Sequence, residues 1–196
     1  DSLFFGELSL DGTLRHTKGA LLTALFARER GIRKLFVPRE SANEAAVVND
    51  ITVYPVESLS QLLAHCAGER LIEPACYMEG KLENVVPEFD LAEVIGQEQA
   101  KRALEIAAAG GHNFCMVGSP GSGKTMLARA LPGILPPLSG EESMEVTKIY
   151  SITGRIPPEG SLVKARPFRA PHHTISAVGL IGGGSRPQPG EISLSH

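Results

Sequence analysis

Between positions 19 and 30 the chain reads GALLTALFARER, with apolar side chains at 21, 22, 25 and 26. That spacing lines one face of a helix, which Gly31 closes. Before it, SLFFGEL is apolar and aromatic, and LDGTL sets an Asp-Gly turn between two short strand candidates. After it, RKLFVP predicts a strand ended by Pro38, DITVYP a second strand, and SLSQLLAHC a further short helix. Ser41 stands three residues before Glu44 ahead of the apolar AAVV, the spacing of a capping box. Strands alternating with helices predict an α/β unit over residues 1–70. Residues 68–90 mix charge with prolines and glycines and show no period, so they are either a connector, drawn at 71–90, or an irregular packed segment.

A second block, 91–196, opens with a helical face at positions 100, 103, 104, 107 and 108, stopped by Gly110 and Gly111. NFCMV follows as a short buried strand that carries Cys115, and KTMLARAL as an amphipathic helix ended by Pro132 and GILPP. EESMEVTKIYSITG predicts another helix before Gly154. From Ile156 onward the density of Gly and Pro predicts loops and short hairpins.

Composition narrows the class. Of 196 residues 42% are hydrophobic, enough for a real core, and no eighteen-residue apolar run marks a membrane span. The chain begins with Asp and carries no basic-then-apolar leader, the expectation for a cytoplasmic segment cut from a longer protein. Three cysteines, Cys66, Cys76 and Cys115, cannot all pair within one chain, and their spacing matches neither a zinc site nor a redox pair. A net charge of −3 gives no general attraction to nucleic acid, so local charge has to carry any such role.

The sharpest chemistry lies in Gly118, Ser119, Pro120, Gly121, Ser122, Gly123, Lys124 and Thr125, which fit G-x-x-x-x-G-K-[ST] between a predicted strand and a predicted helix. Glycines there let several amide N–H groups face one anion, and the helix N-terminus favours the same charge. Lys124 is placed to reach the β- and γ-phosphates of ATP, and the Thr125 hydroxyl to join the magnesium shell. Val94, Ile95 and Gly96 either flank a purine or dock the following helix. His112 either touches the base or caps its turn. His172 and His173 lack nearby acidic or thiol ligands between 160 and 190, which argues against a metal. The same interval holds Lys164, Arg166, Arg169 and Arg186, either a solvated loop or a contact with nucleic-acid phosphates or a neighbouring subunit. After Thr125 no run of four apolar residues leads to Asp-Glu, so the chain is expected to bind nucleotide better than it turns it over.

VIGQEQAKRALEIAAAGGHN, GSPGSGKTMLARALPGILPPL, FRAPHHTIS, LIGGG and PGEISLSH together resemble the AAA+ ATPases of the magnesium-chelatase-like group, and within it the ComM/YifB competence family. The resemblance implies a truncated P-loop NTPase domain of α/β/α type. It also implies a homo-hexameric ring with ATP between subunits and an adenine-side contact from Ile95 and Gly96. The acidic strand, sensors and arginine finger of such proteins come after PGEISLSH. Ser119 stands where relatives usually carry Pro, a mild change at a position that offers its backbone. The first block is similar to the second half of a Lon-protease-like domain of the ribosomal S5 domain 2-like type. At the position of its catalytic lysine stands Leu22, and Lys18 replaces one of its paired glycines, which implies a unit without peptidase chemistry. For ComM-like proteins the implied role is DNA branch migration in natural transformation. The alternatives are a chelatase-type motor acting on a protein or cofactor partner, and a non-enzymatic nucleotide-binding interaction module.

Overall fold

The computed structural model describes residues 1–78, 89–156, 162–185 and 187–195. Arg186 and positions 79–88 of the expected connector lie outside them. β1 (Ser2–Phe4) leads into an antiparallel hairpin of β2 (Glu7–Leu8) and β3 (Leu14–Arg15). Its turn is held by the Asp11 carboxylate, which accepts the Thr13 N–H at 3.0 Å and the Thr13 hydroxyl at 2.7 Å. There follow α1 (Ala20–Glu29), β4 (Lys34–Pro38), a 3-10 turn (Arg39–Ser41), α2 (Ala42–Ala46), β5 (Thr52–Val56) and α3 (Leu59–Cys66).

β1, β4 and β5 form one parallel sheet in that order, with Leu3 opposite Leu35 and Leu35 opposite Val53. The centre strand is buried from Leu35 through Pro38, as expected of a parallel strand covered on both faces. On one face Leu35, Val37 and Val53 pack against Ala20, Leu21 and Ala24 of α1 and Ala42 and Ala45 of α2. The alanines let both helices lie close to the sheet. On the other face the rings of Phe4, Phe36 and Tyr54 stack across the three strands, with centroids 4.9 and 4.8 Å apart.

One local expectation fails here for a physical reason. The capping box of Ser41 and Glu44 does not form. The Ser41 hydroxyl sits 3.0 Å from His16 Nδ1, and Glu44 turns to α1, where its Oε1 accepts the Leu21 N–H at 3.0 Å. α1 starts from Gly19, without a capping side chain or an acidic residue in its first turn, so its free N–H groups recruit the carboxylate. Of the segment read as either a connector or an irregular packed stretch, residues 71–78 are described, and although mostly exposed they are tied to the first block at three points. Ile72 is buried, and its N–H donates to His65 Nδ1 at 2.9 Å. The Ala75 N–H donates to the Val53 carbonyl at 2.8 Å, and the Asn43 amide holds both backbone groups of Met78 at 2.9 and 3.1 Å.

The second block begins with a 3-10 turn (Leu91–Glu93) and continues through α4 (Glu98–Gly110), α5 (Lys124–Ile134) and α6 (Gly140–Thr153). It ends in α7 (Ala177–Ile181), the hairpin of β6 (Gly182–Gly183) with β7 (Gln188–Pro189), and α8 (Glu191–Leu194). Val94, Leu104 and Leu127 form its core, joined by Phe114 and Met116. The expected strand NFCMV does not form: residues 113–117 belong to no strand or helix and have no ladder partner among the described residues. Phe114 and Met116 face the core, while Cys115 is exposed rather than buried, and Val117 is 94% exposed. The period of two is therefore present without a second strand to cover the outer face. α5 also runs through Pro132 instead of ending there. Proline's fixed φ suits a helix, and the stop comes at Leu135, whose extended backbone precedes Pro136.

α6 joins the two blocks. Its buried hydroxyl side chains, Ser143, Thr147 and Ser151, recur every four residues on one face. Ser143 donates to the Val163 carbonyl at 2.6 Å, and Thr147 accepts the Val163 N–H at 2.9 Å. Ser151 donates to Glu44 at 2.5 Å, across 107 positions of sequence, and Met144 packs on the core of the N-terminal sheet.

Candidate phosphate-binding site

The loop 118–123 and the start of α5 surround a cavity of about 260 Å³ lined by Gly121, Ser122, Gly123, Lys124, Thr125 and Met126. Gly121 and Gly123 have φ of 77° and 84°, a left-handed backbone that a side chain would resist. Between them the Ser122 N–H donates to the Ser119 carbonyl at 3.3 Å, which closes the turn. α5 starts at Gly123 without a side-chain cap, so the first-turn N–H groups of Lys124, Thr125 and Met126 have no intrahelical partner. Lys124 Nζ donates to the carbonyls of Gly118 at 3.0 Å and Ser119 at 2.7 Å and to Ser122 Oγ at 3.2 Å. Thr125 is exposed one residue further along. Uncapped helix amides, a left-handed glycine loop and one ammonium thus converge on a concavity. This donor set fits a polyanion, and nothing acidic lines the cavity to repel one. Lys124, Thr125 and the loop amides are the groups that would hold a triphosphate with its magnesium.

The residues expected on the base side are less closely assembled. Val94 is buried in the core shared with Leu127, whereas Ile95 is 95% exposed and Gly96 has φ of 69°. His112 is exposed, and its backbone N–H caps α4 by donating to the Ala107 carbonyl at 2.9 Å.

The basic interval is not a bare cationic strip. Arg166 Nε donates to the Pro136 carbonyl at 2.6 Å, and its NH2 lies 3.3 Å from the Glu142 carboxylate. Arg169 makes a two-pronged pair with Glu191 at 2.5 and 2.7 Å. This pair holds the Glu191 carboxyl below, and the Arg169 guanidinium above, their ordinary ranges. Glu142 is held low first by the Ser139 N–H and then by Arg166. Arg169, Glu191, His172 and Thr174 line a cleft of about 440 Å³, in which His172 Nδ1 is 2.7 Å from Thr174 Oγ1. The partners Glu142 and Glu191 do not emerge from the sequence reading. Ser139 and Glu142 do have capping-box spacing, and the box forms, so that signal is present in the sequence. Nothing comparable flags Glu191.

A family model described as magnesium chelatase, subunit ChlI, matches residues 90–196, and a second, subunit ChlI of Mg-chelatase, matches residues 1–41. The chain belongs to the magnesium-chelatase-like family of AAA+ ATPases. Membership in this family makes the second block an ATP-binding module and implies use of ATP with Mg2+. An uncharacterized protein of Mycobacterium tuberculosis is 43% identical over 201 residues, covering 100% of this chain and 39% of the relative. The competence protein ComM of Haemophilus influenzae is 40% identical over 202 residues, covering 98% of this chain and 38% of ComM. An archaeal Lon protease of Archaeoglobus fulgidus is 38% identical over 72 residues, 37% of this chain and 11% of the protease. This member of the family therefore spans about two-fifths of the length of the curated relatives that it matches along its whole extent. No helix among its described residues is long and apolar enough to cross a membrane.

Proposed function

We propose that this chain supplies the nucleotide cradle and a non-proteolytic Lon-like unit of an ATP-driven, cytoplasmic DNA-remodelling motor that works as a hexamer. The observation that carries the reading is the convergence of Lys124 Nζ with the free amides of α5 at one cavity. Lys124 would exchange its loop carbonyls for the β- and γ-phosphates, Thr125 would offer its hydroxyl to magnesium, and the N–H groups of Gly121, Gly123 and the first turn of α5 would serve the phosphate oxygens. Ile95 and Gly96 bound the adenine, a use that suits the bare side chain of Ile95. The likeness to an archaeal Lon protease supports the Lon-like assignment, and Leu22, a half-buried apolar residue of α1, offers no amine for peptide hydrolysis.

The DNA role rests on similarity to ComM and on Lys164, Arg166, Arg169 and Arg186 in a segment free of acidic residues. Arg166 and Arg169 trade their carboxylate partners for phosphates when DNA binds. One observation favours a second reading, a chelatase-type motor acting on a protein or cofactor partner: those arginines already have intramolecular anions. Stimulation of the full-length ATPase by forked DNA, abolished when Lys164 and Arg166 are neutralised, supports the first. Indifference to DNA supports the second.

The cradle is tested by titrating a fluorescent ATP analogue with Mg2+ into the wild type and Lys124→Ala. The substitution is expected to weaken binding by roughly tenfold or more, with an unchanged far-UV spectrum, on the scale of a lost charge-assisted hydrogen bond. Equal affinities for the two proteins contradict the assignment.

A further inference from the structure

Glu44 is buried, 4% exposed, and serves two elements that sequence holds far apart. Its Oε1 accepts the Leu21 N–H of α1 at 3.0 Å and the Ser151 hydroxyl of α6 at 2.5 Å. Burial makes such a carboxylate costly unless its donors stay in place, so the three groups hold one another in position. Two further contacts fix the same junction. Gly154, the left-handed cap of α6, lies so close to Lys18 that a Cβ there would come within 2.5 Å of the lysine Cε. The Lys18 stem thus lies against the C-terminal end of α6, where a cation is favoured. Met144, nearly three turns before Gly154, enters the core beneath α1 and α2.

The other end of α6 is tied to the nucleotide site. α5 runs from Gly123 of the phosphate loop to Ile134, and the connection to α6 is gripped by Arg166, which binds Pro136 and Glu142 together. Ser139 and Glu142 then cap the first turn of α6 reciprocally. Two helices, α5 and the fourteen-residue α6, joined by the Arg166 contacts, therefore run in series from the phosphate loop to the start of α1. We propose that Glu44 and Ser151 are positioning residues that couple nucleotide occupancy at Lys124 to the N-terminal unit, with α6 as the rigid connector. The inference rests on the nucleotide-cradle reading. The test reads both ends of the series.

Amide exchange at Leu21 is followed by NMR in the wild type, Ser151→Ala, Ser151→Thr and Glu44→Gln. Each is measured with and without a non-hydrolysable ATP analogue and Mg2+, and analogue affinity is titrated separately. Without nucleotide, Ser151→Ala is expected to speed Leu21 exchange roughly fivefold, while Ser151→Thr, which keeps the hydroxyl, and Glu44→Gln, which keeps an acceptor, largely restore protection. Saturating analogue is expected to change Leu21 exchange about fivefold in the wild type. In Ser151→Ala it should change exchange less than about twofold, at an affinity equal to that of the wild type. Leu21 exchange that ignores Ser151→Ala, or a nucleotide response that survives it, overturns the proposal. Failure of the wild type to bind the analogue overturns the cradle reading instead, and the nucleotide-free arm then decides the Glu44–Ser151 contact by itself.

Discussion

Lys124 closes the phosphate loop on itself, its three protons directed at Gly118, Ser119 and Ser122. A bound triphosphate has to compete for that ammonium, and the uncapped amides of α5 are what tilt the exchange toward the anion. The neighbouring Gly123 is required by conformation, since φ of 84° costs a residue with a Cβ about 1–2 kcal/mol. Gly123→Ala is accordingly expected to lower the thermal midpoint by several degrees and to weaken nucleotide binding, checked by calorimetry and titration on one sample. The turn at Gly121 and Gly123 and the helix start at Lys124 are legible in the sequence because the glycine spacing marks the left-handed positions and the helix that follows them. Glu44 is not, because capping-box spacing says that a carboxylate is available and not which helix end it will serve. Cys115 misleads for a related reason: an apolar run gives a period but not the partner that covers it.

At the level of elements, α6 shows polar side chains used for assembly. Thr147 accepts the Val163 N–H and donates to the Ser143 carbonyl, in a setting where Thr147 is 1% exposed. Thr147→Val keeps the shape and strands the Val163 amide, so it is expected to cost about 1–3 kcal/mol in denaturant unfolding. Arg169 and Glu191 join the FRAPHHTIS segment to α8. Because the folded carboxyl of Glu191 is held below its ordinary 4.5, the pair contributes stability above that value and loses it as pH falls through the lower, folded value. Glu191→Gln should remove this part of the acid sensitivity, seen as a smaller drop in thermal midpoint between pH 6 and roughly pH 3, the range in which carboxylates titrate. The helices themselves are readable from apolar spacing and from Gly31, Gly111 and Gly154 at their ends. Pro132 misleads because a proline near the last turn removes one hydrogen bond without ending a helix.

For the whole molecule, the unforeseen feature is that one face of α6 holds Val163 of its own block through Ser143 and Thr147 and Glu44 of the first block through Ser151, while Met144 enters the core of the N-terminal sheet. Nothing in a local pattern predicts such a contact, since it pairs positions 107 apart. Gly154→Ala tests this junction. A left-handed φ of 69° together with the Lys18 contact should cost about 2 kcal/mol or more and separate the unfolding of the two blocks. The proposed DNA role is tested on the full-length protein. Neutralising Lys164 and Arg166 should lower the salt dependence of DNA binding by about one unit of slope for each DNA phosphate no longer neutralised. Backbone amide chemical shifts upon addition of ATP and Mg2+ test the phosphate cradle most directly. Large shifts confined at first to residues 118–126, absent in Lys124→Ala, are the result expected of a phosphate cradle. A folded wild-type protein whose loop amides do not move at saturating nucleotide contradicts it.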